Sequence, residues 1–425
     1  MTTTTPRPTP LPPTEPDPQA RRGLAARVSL GRVFAPVPSE FLLLASTALL
    51  LTGFGLVMVL SATSATATAA GDPPYEEVIK QVVFAVIGIP LMFVASRLPI
   101  AFWKRIAWPA LIGSVLFQLL VFVPGLGVEA NGNRNWILIG GFQFQPAEFL
   151  KLGLALWMGY VLFRKQTLLG LWRHVFIPVV PVGALVIATV LAGSDLGTAM
   201  ILVLILLGAL FFSGVKLRIF ILPLIASVAA VAALAVTSPD RMRRIMSFLD
   251  TNCLADYFNS CYQPLHGIWG LAGGGVFGLG LGNSKAKYWL PAAANDYVFA
   301  IVGEELGLIG CAVVLSLFAL FAVGAFHVIR KTDDPFVRIV SGAITVWIVG
   351  QALINIGVVL RLFPVLGVPL PFMSQGGTSL VSVLLAAGVL LSFARTLPAA
   401  EARRQAAIQR AAARRRRAAG SAPTR

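Results

Sequence analysis

A single carboxylate, Asp296, stands in LPAAANDYVFA at the lip of a long apolar stretch. A carboxylate at such a boundary is partly out of water, which raises its pKa and suits it to act as a base. Cations precede it: Arg241, Arg243 and Arg244 in SPDRMRRIMSF, then Lys285 and Lys287 in GNSKAKYW. Arginine forks match phosphate oxygens, so a ligand carrying a diphosphate would suit them. The plainer reading is an amphipathic segment anchored on lipid headgroups. Glu304 and Glu305 follow about two turns deeper, where an acid needs a partner or a cavity.

Other polar groups punctuate the apolar background. In NGNRNWILIGGFQFQPAEFLK, residues 131–151, Asn131-Gly132 signals a turn and Pro146 suits the first turn of a helix. Arg134 and Trp136 set a cation and an amphipathic ring at an interface. Glu148 and Lys151 are i, i+3 neighbours and read as a structural ion pair ahead of a catalytic one. Asp195, in GSDLGT, reads as a helix cap. Gly273–Gly275, Gly278, Gly280 and Gly282 supply backbone capable of close approach to a ligand. They are not a phosphate-binding fingerprint, because no strand–turn–helix unit surrounds them. Residues 361–380, RLFPVLGVPLPFMSQGGTSL, predict irregular backbone, tolerated at membrane depth only where protein buries it or it lines a cavity. Gln351 and Asn355 line that cavity or bond between helices.

The elements that must position these groups are membrane spans. Mean hydropathy is +0.81, with 57% hydrophobic and 12% charged residues. Soluble chains carry about 25% charged residues, so this one is membrane-embedded. Of the net charge of +16, about ten units lie in residues 1–40 and 395–425. Beside a span, such basic tails face anionic lipid rather than nucleic acid. Residues 1–38 predict a disordered tail ahead of an uncleaved first anchor, and residues 395–425 a basic cytoplasmic tail. Apolar runs at 40–62, 78–96, 106–124, 148–163, 175–192, 199–214, 219–237, 298–328, 339–360 and 377–394 predict an all-α polytopic protein of about ten helices within residues 39–394. Basic connections Arg97–Arg105, Arg164–Arg173, Lys216–Arg218 and Arg330–Arg338 share a side with both termini, which makes that side cytoplasmic. The loops 125–147, 193–198, 238–297 and 361–376 then lie outside. The largest, between the seventh and eighth spans, carries Asp296. It also carries Cys253 and Cys261, a candidate disulfide on the side where disulfides persist. Three cysteines are too few for a disulfide scaffold or a four-cysteine metal site.

The ordered set NGNRNWI…QPAEFLK, SDLGT, RRIMSFLD, GLGLGNSKAKYWLPAAANDYVFAIVGEELGLIG and LPFMSQGGTSL resembles the SEDS family (shape, elongation, division and sporulation proteins) over about residues 40–394. FGLGLGNSKAK…NDYVFAIVGEELG is closer to the division (FtsW) branch than to the elongation (RodA) branch. The cysteine-bearing insertion and basic tails resemble actinobacterial members. The resemblance implies a peptidoglycan glycosyltransferase that polymerises lipid II into glycan strands at the outer face of the cytoplasmic membrane during cell division. Its partners would be lipid II, a growing lipid-linked glycan, membrane lipids, a cognate class B penicillin-binding transpeptidase and other division proteins, with no nucleic acid. The family's essential loop aspartate falls on Asp296, its Glu and Lys after the QP pair on Glu148 and Lys151, and its Arg and Trp on Arg134 and Trp136. Departures from the pattern are Ala147, Ser194, Ala292, Ala294, Arg361 and Gln375. Ala292 and Ala294 stand where Glu and His are frequent and cannot do acid–base work, which leaves Asp296 the larger share. Asp296 would take the proton of the acceptor 4-hydroxyl, while Arg241, Arg243, Arg244, Lys285 and Lys287 face the departing undecaprenyl diphosphate. No residue is assigned to a metal, and Mg or Mn is a cation the family would recruit. A lipid II flippase and a non-catalytic division scaffold are the competing readings.

Overall fold

The computed structural model describes residues 38–71, 73–130, 133–236, 239–249, 253, 257–258, 261–397 and 402. Each of the ten apolar runs forms a helix: α1 (Ser39–Ala70), α2 (Glu76–Ala95), α3 (Ile100–Leu119), α4 (Ala147–Arg164), α5 (Trp172–Leu191), α6 (Leu196–Phe212), α7 (Leu217–Val236), α10 (Val298–Lys331), α11 (Pro335–Val359) and α12 (Gly377–Ala394). Two shorter helices, α8 (Pro239–Leu249) and α9 (Tyr262–Gly274), occupy the loop between α7 and α10. Among the described residues, seven helices are long and apolar enough to cross a membrane by themselves: α1, α2, α3, α5, α10, α11 and α12. α6 and α7 hold shorter apolar stretches, Leu196–Phe212 and Arg218–Ala230, and α4 carries Glu148, Lys151 and Arg164. The 1–38 tail up to residue 37 and most of the 395–425 tail lie outside the described residues.

α4 and α12 are buried along nearly their whole length and form the centre. α2, α3, α5 and α7 turn Val86, Leu116, Ile177 and Ile225 outward, as helices facing hydrocarbon do. α2 lies tight on α12, where a Cβ at Gly388 would stand 2.6 Å from the Met92 carbonyl oxygen. At one end of the bundle, Lys104 pairs with Asp334 at 2.7 Å and Lys331 with Glu40 at 2.6 Å, so basic connections meet there.

The all-α expectation is corrected in residues 125–147. β1 (Gly127–Ala130), β2 (Asn133–Ile139) and β3 (Phe142–Phe144) form an antiparallel sheet in the order β1-β2-β3. Ile139 pairs with Phe142, and Gly140 and Gly141 between them both hold positive φ, 59° and 83°. Two residues of positive φ make the hairpin turn whose twist matches its strands. The Asn131-Gly132 turn lies outside the described residues.

α10 is broken at Gly307, whose φ of 67° and ψ of −163° interrupt the helix. The glycine run of residues 274–280 repairs that break. Leu279 and Gly280 donate to the Glu304 and Glu305 carbonyls, both at 2.9 Å, while Leu308 and Ile309 donate to the carbonyls of Gly275 and Val276. A Cβ at Gly278 would lie 2.2 Å from the Glu305 carbonyl oxygen. Gly274 and Gly278 make a close approach, here to α10 of the same chain.

Candidate active site

The four loops that the charge pattern assigns to the outer side close around one cavity of about 700 Å³. β2 contributes Asn133, Asn135 and Trp136, and the turn before α6 contributes Ser194 and Asp195. Arg244 and Ile245 of α8 and Gln263 of α9 form one wall. Gln145, then Leu196, Gly197 and Met200 of α6, residues within 291–296, and the stretch from Phe363 to Ser379 complete the lining. Ser194 and Ala292 hold positive φ, 67° and 55°, a left-handed conformation that costs a non-glycine residue roughly 1–3 kcal/mol and gathers at functional sites.

Asp296 ends the segment immediately before α10. Its carboxylate is half-buried and accepts no hydrogen bond among the described residues. Burial, then repulsion from Asp195, lifts its pKa from 3.8 to about 6, and Arg244 opposes the rise. Such a group is ionised at neutral pH yet close enough to it to accept a proton efficiently.

Asp195 is the helix cap that its sequence context suggests, and more. Its carboxylate accepts from the Thr198 N–H at 2.8 Å, from the Thr198 hydroxyl at 2.7 Å and from Gln145 Nε2 at 3.0 Å. Burial raises its pKa and the Thr198 bonds oppose the rise. It therefore sets the field around Asp296 while holding α6 to β3's end of the sheet. Gln145 escapes a sequence reading that fixes on Pro146 and Glu148, although it adjoins both.

Among the described residues, Arg244 is the one predicted cation that lines the cavity. Arg243 lies exposed beside it on α8, and the Arg241 side chain lies outside the described residues. Arg134 is held through its backbone N–H to the Gly193 carbonyl at 3.0 Å, with its side chain out of the lining. Lys285 is exposed elsewhere. Lys287 requires correction: its Nζ is buried, donating to the carbonyls of Gly282 at 2.7 Å and Ser61 at 3.1 Å, and lies 3.7 Å from Glu305. A buried ammonium so engaged binds the loop to α1 and α10 and does not face a diphosphate.

Glu148 and Lys151 form a buried pair at 2.7 Å beneath the cavity. Lys151 also donates to Gln351 Oε1 at 3.1 Å, Trp347 donates to the same oxygen at 3.0 Å, and Ser382 donates to Glu148 at 3.3 Å. Cys253 and Cys261 are joined in a disulfide, their Cα atoms 5.6 Å apart, and pack with Leu265 and Tyr257. This ties the chain leaving α8 to the start of α9, two elements of the cavity wall. Among the described residues, no group of three or more His, Cys, Asp or Glu gathers to hold a metal.

The model of the cell cycle protein family grouping FtsW, RodA and SpoVE matches residues 41–398. A probable peptidoglycan glycosyltransferase FtsW of Mycobacterium tuberculosis is 38% identical over 369 residues, 87% of this chain and 70% of the relative. Stage V sporulation protein E of Bacillus subtilis is 35% identical over 84% of this chain and 97% of its own length. Among solved structures, a chain of a peptidoglycan synthase complex aligns with a TM-score of 0.68 at 24% identity, covering 83% of this chain and 96% of that one. RodA of Thermus thermophilus aligns with a TM-score of 0.62 at 24% identity, covering 83% and 96%. At that identity the structures speak for the fold alone.

Proposed function

The chain belongs to the family that joins FtsW, RodA and SpoVE, and on that premise we propose that it is a peptidoglycan glycosyltransferase that polymerises lipid II. The observation that carries the reading is Asp296: a half-buried carboxylate that accepts hydrogen bonds from none of the described residues and faces a cavity bounded by Arg244 and Trp136. The names of the FtsW relatives supply the reaction class.

In this reading Asp296 accepts the proton of the acceptor sugar's 4-hydroxyl as its oxygen attacks the anomeric carbon of the donor. The new C–O bond forms while the bond to undecaprenyl diphosphate breaks, with inversion and no glycosyl-enzyme intermediate. Arg244 answers the negative charge that develops on the diphosphate. Mg²⁺ or Mn²⁺, taken up with the substrate phosphates, would supply further positive charge to the leaving group; no group of acids, histidines or cysteines among the described residues gathers to hold it.

The membrane arrangement is ten spans, both termini cytoplasmic, with the cavity opening at the outer face of the cytoplasmic membrane at the division site. The partner is a class B penicillin-binding transpeptidase. A flippase would keep its polar site near the midplane on open, broken helices. Here the break in α10 is filled by residues 274–280, and the deeper acids are saturated with hydrogen bonds, which supports surface chemistry. The test supplies lipid II to the purified full-length chain and its transpeptidase. Wild type should form glycan strands, and Asp296→Asn should lower the rate by about 10²–10⁴-fold. Equal rates would end the assignment of the base. Translocation of lipid II in vesicles without polymerisation would replace the enzyme with the flippase.

A further inference from the structure

Three successive backbone carbonyls lead into the aspartate, and each accepts a hydrogen bond from a residue far along the chain. The Ala294 carbonyl accepts from the Gln375 N–H at 2.9 Å. The Asn295 carbonyl accepts from the Ser374 hydroxyl at 2.5 Å, and the Asp296 carbonyl from the Asn355 amide at 2.7 Å. The same Asn355 nitrogen donates its second proton to the Val368 carbonyl, also at 2.7 Å. Ser374 in turn accepts from the Leu370 N–H at 2.7 Å. Behind it, Gln81 of α2 donates to the Ser374 carbonyl and accepts from the Gly376 N–H, both at 3.1 Å. Asn355, Ser374 and Gln81 are all buried.

This arrangement answers a mechanical need. Asp296 lies on a turn whose own bonds are local: the Asn295 and Tyr297 N–H groups donate to the Ala292 carbonyl at 3.0 and 3.3 Å. Ala292 is itself in the left-handed region. Nothing within that turn fixes where the carboxylate stands relative to Arg244 or Trp136 on other elements. A base must come within about 2.6–3.2 Å of the proton it takes. The buried Asn355 is oriented by its two donors, since its Oδ1 has no partner among the described residues. Isosteric aspartate or leucine could donate neither bond. The hydroxyl of Ser374 likewise serves as donor and acceptor at once, which alanine cannot do.

We propose that Asn355 and Ser374 are positioning residues for Asp296. They grip the backbone carbonyls on either side of the Asp296 Cα and thereby set the carboxylate's place in the cavity. Gln81 steadies Ser374 from the opposite side, so α2 and α11 jointly register the aspartate against the bundle. The inference rests on the reading of Asp296 as the base.

The experiment measures lipid II polymerisation by the full-length chain with its transpeptidase across a pH series, for wild type, Asn355→Ala, Ser374→Ala, Ser374→Thr and Asp296→Asn. A carboxylate displaced by an ångström costs about 10²-fold in rate. Asn355→Ala should therefore lose about 10²-fold and Ser374→Ala about 10-fold in kcat, with KM for lipid II within about twofold of wild type. Both should move the acid-side midpoint of the pH profile away from that of wild type, and Ser374→Thr, which keeps the hydroxyl, should recover rate and midpoint. Monodispersity on gel filtration accompanies every variant. Should Asn355→Ala fail to purify, Ser374→Ala carries the same readouts, since it removes one oxygen. Wild-type kcat and midpoint in both alanine variants, beside an inactive Asp296→Asn, would overturn the clamp alone. A rate loss that only tracks loss of folded protein, with an unmoved midpoint, would also overturn it. An active Asp296→Asn would remove the underlying base instead.

Discussion

Asp296 and the pair Glu304–Glu305 flank the first turns of α10, and the fold treats them in opposite ways. Glu305 accepts from the Ser61 hydroxyl at 2.6 and 2.7 Å and from the Ser284 N–H at 3.2 Å, with Lys287 at 3.7 Å. Glu304 accepts from the N–H groups of Lys285 and Ala286, at 3.0 and 3.1 Å, and from the Ser284 hydroxyl. Asp296 accepts from none of the described residues. Glu304 and Glu305 are buried and Asp296 is half-buried. What sets Asp296 apart is the lack of donors among the described residues, so its charge, stabilised by none of them, remains available to a proton.

The comparison can be broken at several points beyond the loss of activity expected of Asp296→Asn. The largest stability effect should come from the saturated acids. Glu305→Ala strands the buried Lys287 ammonium, and removing one partner of a buried pair costs about 3–5 kcal/mol. Thermal unfolding in detergent should show a large fall in Tm, and an unchanged Tm would sink the structural role.

Asp296→Asn should do the reverse at neutral pH. The folded pKa of Asp296, raised from 3.8 to about 6, means that the fold favours the protonated form. Its contribution to stability is fully present below about pH 4 and is lost as the pH rises through about 6. The neutral amide should therefore stabilise the protein at pH 7.5 by on the order of 2–3 kcal/mol, and by little at pH 4. An equal effect at both pH values would contradict the desolvated charge.

The smallest perturbation is titration of the wild type. Polymerisation should fall as the pH drops through about 6, because the base becomes protonated, while the same protonation raises Tm between about pH 6 and 4. A midpoint near 4 would mean that Asp296 is well solvated and that the contrast with Glu304 and Glu305 has been misread.

Much of the fold was legible because membrane spans are a one-dimensional signal: apolar runs of sufficient length must be helical, since lipid offers no partner to the backbone. The ten runs and the ten helices coincide within a few residues, except for α1, which continues to Ala70, and α3, which spans Ile100–Leu119 where the apolar run covers 106–124. The sheet in residues 125–147 was missed because its strands are short and lie in a loop read only for its polar residues. Among the cations, abundance misled. Lys287 and Arg244 look alike as charges near an acid, yet one is consumed by carbonyls and Glu305, and the other reaches the cavity.

By itself the sequence determined the apolar helices, the side on which basic connections cluster and the identity of the acid at a membrane boundary. Each is a matter of composition or short-range order. Only the tertiary structure decided which acid is left without donors, which arginine faces it and what holds it in place. The bonds responsible join residues 59 and 79 positions apart, from Asn355 to Asp296 and from Ser374 to Asn295. Their physical basis is the meeting of one buried donor with one exposed carbonyl, and no local pattern in the chain records that meeting.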